Sequence, residues 1–236
     1  MAGSPIVAIT GASSGIGASV ARGLSERGYT PLLIARRKPA LESVAQSLKG
    51  TSIIVDGDVN DSSLDAKVLA ALNGRPLAGL VNNAGRYDRG AFETFSEADW
   101  ARAFQTNLFS AARLTKSLLS SLSSHGGAIV NVSSTLGLRP VPQTSIYAAT
   151  KAAMNNWTQA LALELAPKVR VNCVCPGITD TPLHGFSEEQ KRQLAQAQPL
   201  GRIGTPDEVA EAIIFLLESK WTTGAILAVD GGISLT

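Results

Sequence analysis

Seven short runs of Val, Ile, Leu and Ala, separated by segments patterned for helices, constrain this chain more than any other feature. They are PIVAIT (5–10), TPLLIA (30–35), SIIVD (52–56), LAGLV (77–81), AIVNVS (128–133), VRVNCV (169–174) and AILAV (225–229). A strand with one wet face alternates apolar and polar residues. Nearly continuous apolar runs belong to strands covered on both faces, as in a parallel sheet between helices. Helix-patterned segments lie near 15–28, 39–49, 62–72, 96–124, 146–166 and 206–218. Thr205, Pro206 and Glu208 signal the start of the last one as N-cap, N1 and N3, and Gly28 suits the end of the first. The expected architecture is α/β: one Rossmann-type, doubly wound parallel sheet of about seven strands with helices on both faces, in a single domain spanning 1–236.

Only the interval 179–204 fails to alternate cleanly. It carries Pro and Gly at both ends and a short polar helix pattern within. An insertion after a strand's carboxyl end is where such a sheet places substrate contacts, so this is the expected substrate loop.

Composition removes several function classes. The net charge is +2, and Lys and Arg are scattered apart from Arg36-Arg37-Lys38, so no nucleic-acid partner is expected. No apolar run approaches the roughly 20 residues that span a bilayer, so no membrane partner is expected either. The first strand-like run begins at residue 5, which leaves no room for a leader and makes the expected location cytoplasmic. Cys173 and Cys175 fall on one face of a strand, where burial is the usual outcome. A disulfide across that spacing would be strained, and further metal ligands are missing nearby, so no metal is expected.

The first strand runs straight into TGASSGIG (10–17), with a helix after it. Gly11, Gly15 and Gly17 would permit a tight turn, close approach of a pyrophosphate and close helix–strand packing. The helix N-terminus would then offer N–H groups to the anion, drawing Ser13, Ser14 and Ile16 into the same cradle. The second strand ends in Ala35-Arg36-Arg37 with no carboxylate to accept from a ribose 2′-hydroxyl. Guanidinium groups there favour the 2′-phosphate of NADP(H), with NAD(H) as the alternative.

Four separated motifs, NNAG (82–85), VNVSS (130–134), YAATK (147–151) and PGITDT (176–181), follow the glycine loop in order. Together with that loop and the DGG at 230–232 they resemble the short-chain dehydrogenase/reductase family over essentially the whole chain. The nearest subgroup is the one containing 3-oxoacyl-(acyl-carrier-protein) reductases. The resemblance implies catalytic roles for Asn107, Ser134, Tyr147 and Lys151, with Ser133 as the structural alternative to Ser134. It also implies cofactor contacts from Asp58 and Val59, Asn83, Ala84 and Gly85, from Pro176, Gly177, Thr179 and Thr181, and from Tyr147 and Lys151 themselves. The family's basic residue in the glycine loop is Ser14 here, which leaves any NADP(H) preference on Arg36 and Arg37.

Tyr147 and Lys151 are one helical turn apart, so both can face one site. An ammonium beside the phenol, together with the positive nicotinamide of the oxidised complex, is expected to lower its pKa towards neutrality, as proton transfer requires. Ser134 would hydrogen-bond the reacting oxygen. By resemblance, Lys151 would hold the ribose and Asn107 would anchor a water leading to solvent. The favoured activity is an NADP(H)-dependent oxidoreductase that reduces a ketone or 3-oxoacyl thioester. The alternatives are an alcohol or sugar dehydrogenase working oxidatively, a non-catalytic cofactor sensor, and a nucleotide-sugar epimerase, for which the carboxyl-terminal part is short. Leu138, Tyr87, Gln143, His184 and Phe186 are the candidate pocket lining. Arg113 and Lys116 leave an acyl-carrier-protein dock open. The long helices at 96–124 and 146–166, with Trp157, are expected to form a homotetramer or homodimer.

Overall fold

The computed structural model describes residues 3–183 and 185–236. All seven apolar runs are strands: β1 (Ile6–Thr10), β2 (Thr30–Ala35), β3 (Ile53–Asp56), β4 (Leu77–Asn82), β5 (Ala128–Val132), β6 (Arg170–Pro176) and β7 (Ile226–Val229). They form one parallel sheet in the order β3-β2-β1-β4-β5-β6-β7. The chain leaves β1 in one direction for β2 and β3 and later in the other for β4 to β7. The crevice beyond the carboxyl ends of β1 and β4 is therefore the topological switch point, where such sheets bind ligands.

Burial explains why the strands read as unbroken apolar runs. Val7, Ile9, Leu33, Val81 and Val130 enter one core with Leu24, Ile213, Ile214 and Leu217. Their neighbours Ala8, Leu32, Ile34, Leu80 and Ile129 enter the other with Leu64, Val68, Leu114 and Leu118. Successive residues point to opposite faces, so a sheet dry on both sides needs apolar residues at every position.

The first core lies against α1 (Gly15–Glu26), α2 (Lys38–Gln46) and α8 (Pro206–Glu218). The second lies against α3 (Ser63–Leu72), α5 (Ser110–Ser123) and α6 (Ser145–Leu165). Gly28 follows the end of α1 with φ +81°. Thr205 and Glu208 form the capping box expected at α8. Among the described residues, no helix is long and apolar enough to cross a membrane.

The expected helix at 96–124 is broken into α4 (Glu97–Phe104) and α5 by a π-helical turn over Gln105–Phe109. Nothing in its composition announces that turn. Asn107 lies within it, fully buried, and an extra residue per turn re-aims its side chain. The interval 179–204 starts and ends at a parallel bridge between Thr179 and Gly204. Asp180 N donates to Gly204 O at 2.9 Å, and Gly204 N donates to Ile178 O at 2.9 Å. Its polar helix is α7 (Glu188–Gln196), opened by a Ser187–Gln190 capping box.

Candidate active site

The glycine loop is sewn to the segment after β4. Thr10 Oγ1 accepts from Asn83 N and Ala84 N, both at 2.9 Å, and donates to Val81 O at 3.3 Å. The Asn83 amide donates to Thr10 O at 2.9 Å and Gly11 O at 3.3 Å. Gly11 and Gly15 take φ of +68° and +53°, a region open to glycine at little cost. A Cβ on Gly17 would collide with Gly11 O and approach Asn83 Nδ2 to 2.8 Å. Ser14, the N-cap of α1, makes no side-chain capping bond. The first-turn N–H groups of Gly15 and Ile16 therefore remain available to an anion, and this cradle fits the pyrophosphate of a dinucleotide.

The expected adenosine end is assembled at the same mouth. Arg37 Nη2 donates to Ser13 Oγ at 3.4 Å, and Arg36 Nη1 lies 3.9 Å from Asp58 Oδ2. Val59 packs against the core, and its carbonyl accepts from Arg113 Nη2 at 2.9 Å. Arg113 also pairs with Asp65 at 3.1 Å. This guanidinium is committed within the chain, and of the two basic residues named for a docking surface only Lys116 stays exposed.

β5 delivers Ser133 and Ser134 next to α6. Ser133 is structural in its contacts: its N–H donates to Val174 O at 2.8 Å and its hydroxyl to Lys151 O at 3.0 Å. Ser134 starts the 3-10 turn Thr135–Gly137, accepts from Leu136 N at 3.1 Å and lies close enough to the Tyr147 phenol to lower its pKa. Tyr147 and Lys151 are both buried. Lys151 Nζ donates to Val132 O at 2.8 Å and lies 5.6 Å from the centre of the Tyr147 ring. Asn107 takes Arg86 N on Oδ1 at 2.8 Å and donates to Arg86 O at 3.1 Å and Thr150 Oγ1 at 3.0 Å. A Cβ built on Gly85 would meet Asn107 Oδ1 at 3.3 Å and Lys151 Nζ at 3.8 Å, so both side chains face that glycine.

Burial sets the electrostatics of the cluster. It pushes the Tyr147 phenol well above its ordinary value; Ser134 pulls it down, while Tyr87 and Cys175 add to the rise. Burial of the phenol dominates its titration, and Lys151 is not among the groups that shift it. The same burial lowers Lys151 to about 8, against a smaller upward pull from the thiols of Cys173 and Cys175. Both cysteines are buried and unbridged, as expected.

Beyond β6, Thr135 Oγ1 donates to Pro176 O at 3.3 Å, Gly177 N to Val229 O at 3.0 Å and Thr179 Oγ1 to Gly177 O at 3.1 Å. Thr181 lies against the glycine loop: a Cβ on Gly15 would be 3.3 Å from Thr181 Cβ. Of the expected pocket lining, Tyr87 packs edge-on against Tyr147, with ring centres 4.9 Å apart and planes at 85°. Leu138 is exposed, Phe186 is half-buried, and Gln143 holds φ +68° while its carbonyl accepts from Gly90 N at 3.0 Å. His184 lies outside the described residues. Thr10, Thr150 and Asn155 escaped the sequence reading. Asn155 sits one turn beyond Lys151, so the spacing that singled out Tyr147 could have found it.

A phosphate cradle at the switch point, with a Ser–Tyr–Lys cluster across the crevice, defines a dinucleotide-binding oxidoreductase. The chain belongs to the short-chain dehydrogenase/reductase family. A family model described as enoyl-(acyl carrier protein) reductase matches residues 11–234. The 3-oxoacyl-(acyl-carrier-protein) reductase of Chlamydia muridarum is 36% identical over 239 residues, covering 96% of each chain. The cis-4-hydroxycyclohexanecarboxylate dehydrogenase of Sinomonas cyclohexanicum is 39% identical over 238 residues, covering 96% of this chain and 95% of that one. A crystal structure of an actinorhodin polyketide ketoreductase variant with NADPH superposes with a TM-score of 0.93 at 32% identity, covering 99% of this chain and 98% of the other.

Proposed function

We propose that this protein reduces a ketone or 3-oxoacyl thioester with NADPH, in one domain spanning 1–236 with 179–204 as its substrate loop. The observation that carries this reading is the buried Ser134–Tyr147–Lys151 cluster at the carboxyl end of the sheet, across from the glycine loop. Gly11, Ser13, Ser14, Gly15, Ile16 and Gly17 would hold the pyrophosphate. Arg36 and Arg37 would hold a 2′-phosphate, with Asp58 and Val59 at the adenine. Asn83, Ala84, Gly85, Pro176, Gly177, Thr179 and Thr181 would line the remainder. When bound, the nicotinamide supplies the hydride.

The chain's own groups handle the proton. A phenol held above its ordinary pKa stays protonated at neutral pH, which suits Tyr147 to donate from Oη to the carbonyl oxygen. Ser134 Oγ would donate to the same oxygen as charge develops there. Lys151 keeps positive charge beside the phenol and would hold the ribose. Asn107, through Thr150, fixes the turn of α6 that carries Tyr147. Tyr87 closes one side of the phenol against water.

Substitution Tyr147→Phe is the test of chemistry: a folded variant that keeps near wild-type turnover overturns this reading. A screen of NADPH consumption over acetoacetyl thioesters, ketosteroids, quinones, diketones and keto sugars would identify the substrate class. The resemblance to an alcohol-oxidising relative supports the oxidative direction as the second reading, with NADH as the alternative cofactor. An acyl-carrier protein remains a candidate substrate carrier. We also propose a cytoplasmic location and a homotetramer or homodimer; exposed Phe109, in the turn before α5, and exposed Leu163 on α6 support the oligomer. Light scattering showing only monomer at micromolar concentration would remove the oligomer.

A further inference from the structure

Behind Lys151, on the side away from the crevice, lies a buried polar cluster that no catalytic role accounts for. Asn155 follows Lys151 by one turn of α6 and Tyr147 by two, on the same face of the helix. Its Oδ1 is approached by two thiols, Cys173 Sγ at 3.4 Å and Cys175 Sγ at 3.5 Å. Two S–H groups facing one oxygen fix which way the amide points. The Nδ2 is then directed at Gly137 O, 3.3 Å away. Asn155 is 8% exposed and both cysteines are 0% exposed.

Gly137 ends the short turn that begins at Ser134. That turn rides on α6 with no room to spare: a Cβ on Gly137 would lie 2.7 Å from Lys151 C and 2.8 Å from Ala152 N. Two links hold the turn on β6, Ser133 N to Val174 O and Thr135 Oγ1 to Pro176 O. Two hold it on α6, Ser133 Oγ to Lys151 O and Asn155 Nδ2 to Gly137 O. Among the described residues, the Asn155 link alone ties the far end of the turn to α6 through a side chain. If it loosens, the Ser134 hydroxyl can drift from the Tyr147 phenol while the sheet and helix stay in place.

We infer that Asn155 is a positioning residue: held by the thiols of Cys173 and Cys175, it sets the register between the Ser134 turn and the helix carrying Tyr147 and Lys151. This rests on the proposed roles of Ser134, Tyr147 and Lys151. Ser134 also opposes the rise in the Tyr147 pKa, so a loosened turn weakens the proton donor while the fall of turnover near pH 8, set by Lys151, stays in place. The other titratable groups facing the phenol or Asn155 are Tyr87 before α4, Lys151 on α6, and Cys173 and Cys175 on β6.

The experiment compares wild type, Tyr147→Phe, Asn155→Leu, Cys173→Ala/Cys175→Ala and Cys173→Ser/Cys175→Ser. Each is assayed by NADPH consumption across pH, using the screened carbonyl that wild type reduces fastest, with thermal melts and NADPH fluorescence titration alongside. Asn155→Leu is expected to lose about tenfold or more in kcat, with the midpoint near pH 8 unmoved and an NADPH Kd within about twofold of wild type. The alanine pair frees the amide and lowers kcat the same way. The serine pair keeps both donors and restores turnover relative to the alanine pair. Retained turnover in Tyr147→Phe defeats the proposed function itself. With Tyr147→Phe inactive, a folded Asn155→Leu of wild-type kcat, or a serine pair that turns over no faster than the alanine pair, overturns the positioning role. Should Asn155→Leu fail to fold, the alanine pair decides: an unmoved kcat overturns it.

Discussion

The Lys151 ammonium donates to Val132 O at 2.8 Å and stands 5.6 Å from the centre of the Tyr147 ring, with both side chains buried. Among the described residues no carboxylate contributes to the Lys151 titration, and burial lowers its pKa from 10.5 to about 8. The charge is therefore present below about pH 8 and lost above it. Turnover that depends on this charge should fall as pH rises through about 8, read as NADPH consumption at saturating substrate. The folded state also binds fewer protons than the unfolded chain between about 8 and 10.5, so the contribution of Lys151 to stability increases with pH across that window. At neutral pH the buried charge opposes folding. Lys151→Met is thus expected to melt no lower than wild type at pH 7 while losing about 100-fold or more in kcat. A melting temperature several degrees lower would show that the ammonium's hydrogen bond outweighs its desolvation.

Among the described residues, Arg36 and Arg37 make only loose contacts, a 3.9 Å approach to Asp58 and a 3.4 Å bond to Ser13. Pairs this exposed contribute little to folding, so both guanidinium groups are free to serve a ligand. Arg36→Ala/Arg37→Ala should lower kcat/KM with NADPH about 10- to 100-fold, leave the value with NADH within about threefold and keep the melting temperature. An equal loss with both cofactors would place the phosphate contact elsewhere.

Asn83 joins the turns after β1 and β4 through the carbonyls of Thr10 and Gly11. Asn83→Ala leaves those carbonyls without their donor, a cost of about 1–3 kcal/mol. In a chain of this size that corresponds to a fall of about 2–10 °C in melting temperature. The glycine loop loses its brace in the same step, so NADPH affinity should drop as well. Gly17→Ala forces a methyl into Gly11 O and Asn83 Nδ2 and should reproduce both effects. Differential scanning calorimetry and a fluorescence titration would read them. Unchanged NADPH binding in a destabilised Asn83→Ala would separate the brace from the ligand site.

The strands were legible because two-sided burial writes itself as continuous apolar sequence, and the glycine loop because only glycine tolerates its turns. The Ser134–Tyr147–Lys151 set was legible because its members lie in short motifs of fixed spacing. What escaped depends on contacts across elements. The π-helical turn at Asn107 carries no sequence mark of its own. Arg113 reads as a free cation until α3 brings Asp65 to it. Lys151 reads as an ordinary ammonium until its own burial is known. Asn155 reads as one polar residue on a helix until β6 places two thiols against its amide.

The base of the 179–204 segment offers a prediction in which charge and motion separate. Lys191, on α7, bonds Asp180 Oδ2 and Glu188 Oε1, each at 2.9 Å, and these two carboxylates raise its pKa. Asp180 sits beside the Thr179–Gly204 bridge. The contact therefore ties a polar helix, which buries no residue of its own, to the segment that follows β6. An exposed pair of this kind contributes little to global stability, but it sets how α7 is held against Asp180. Lys191→Ala should raise KM for the carbonyl about two- to fivefold with the melting temperature and NADPH affinity unchanged. In wild type the same KM should rise as salt increases from about 0.05 to 0.5 M, because screening shortens the reach of the pair. The variant should lose that salt dependence. A salt-dependent KM that persists in Lys191→Ala would assign the effect to the substrate's own charge, and the contact would play no part in binding.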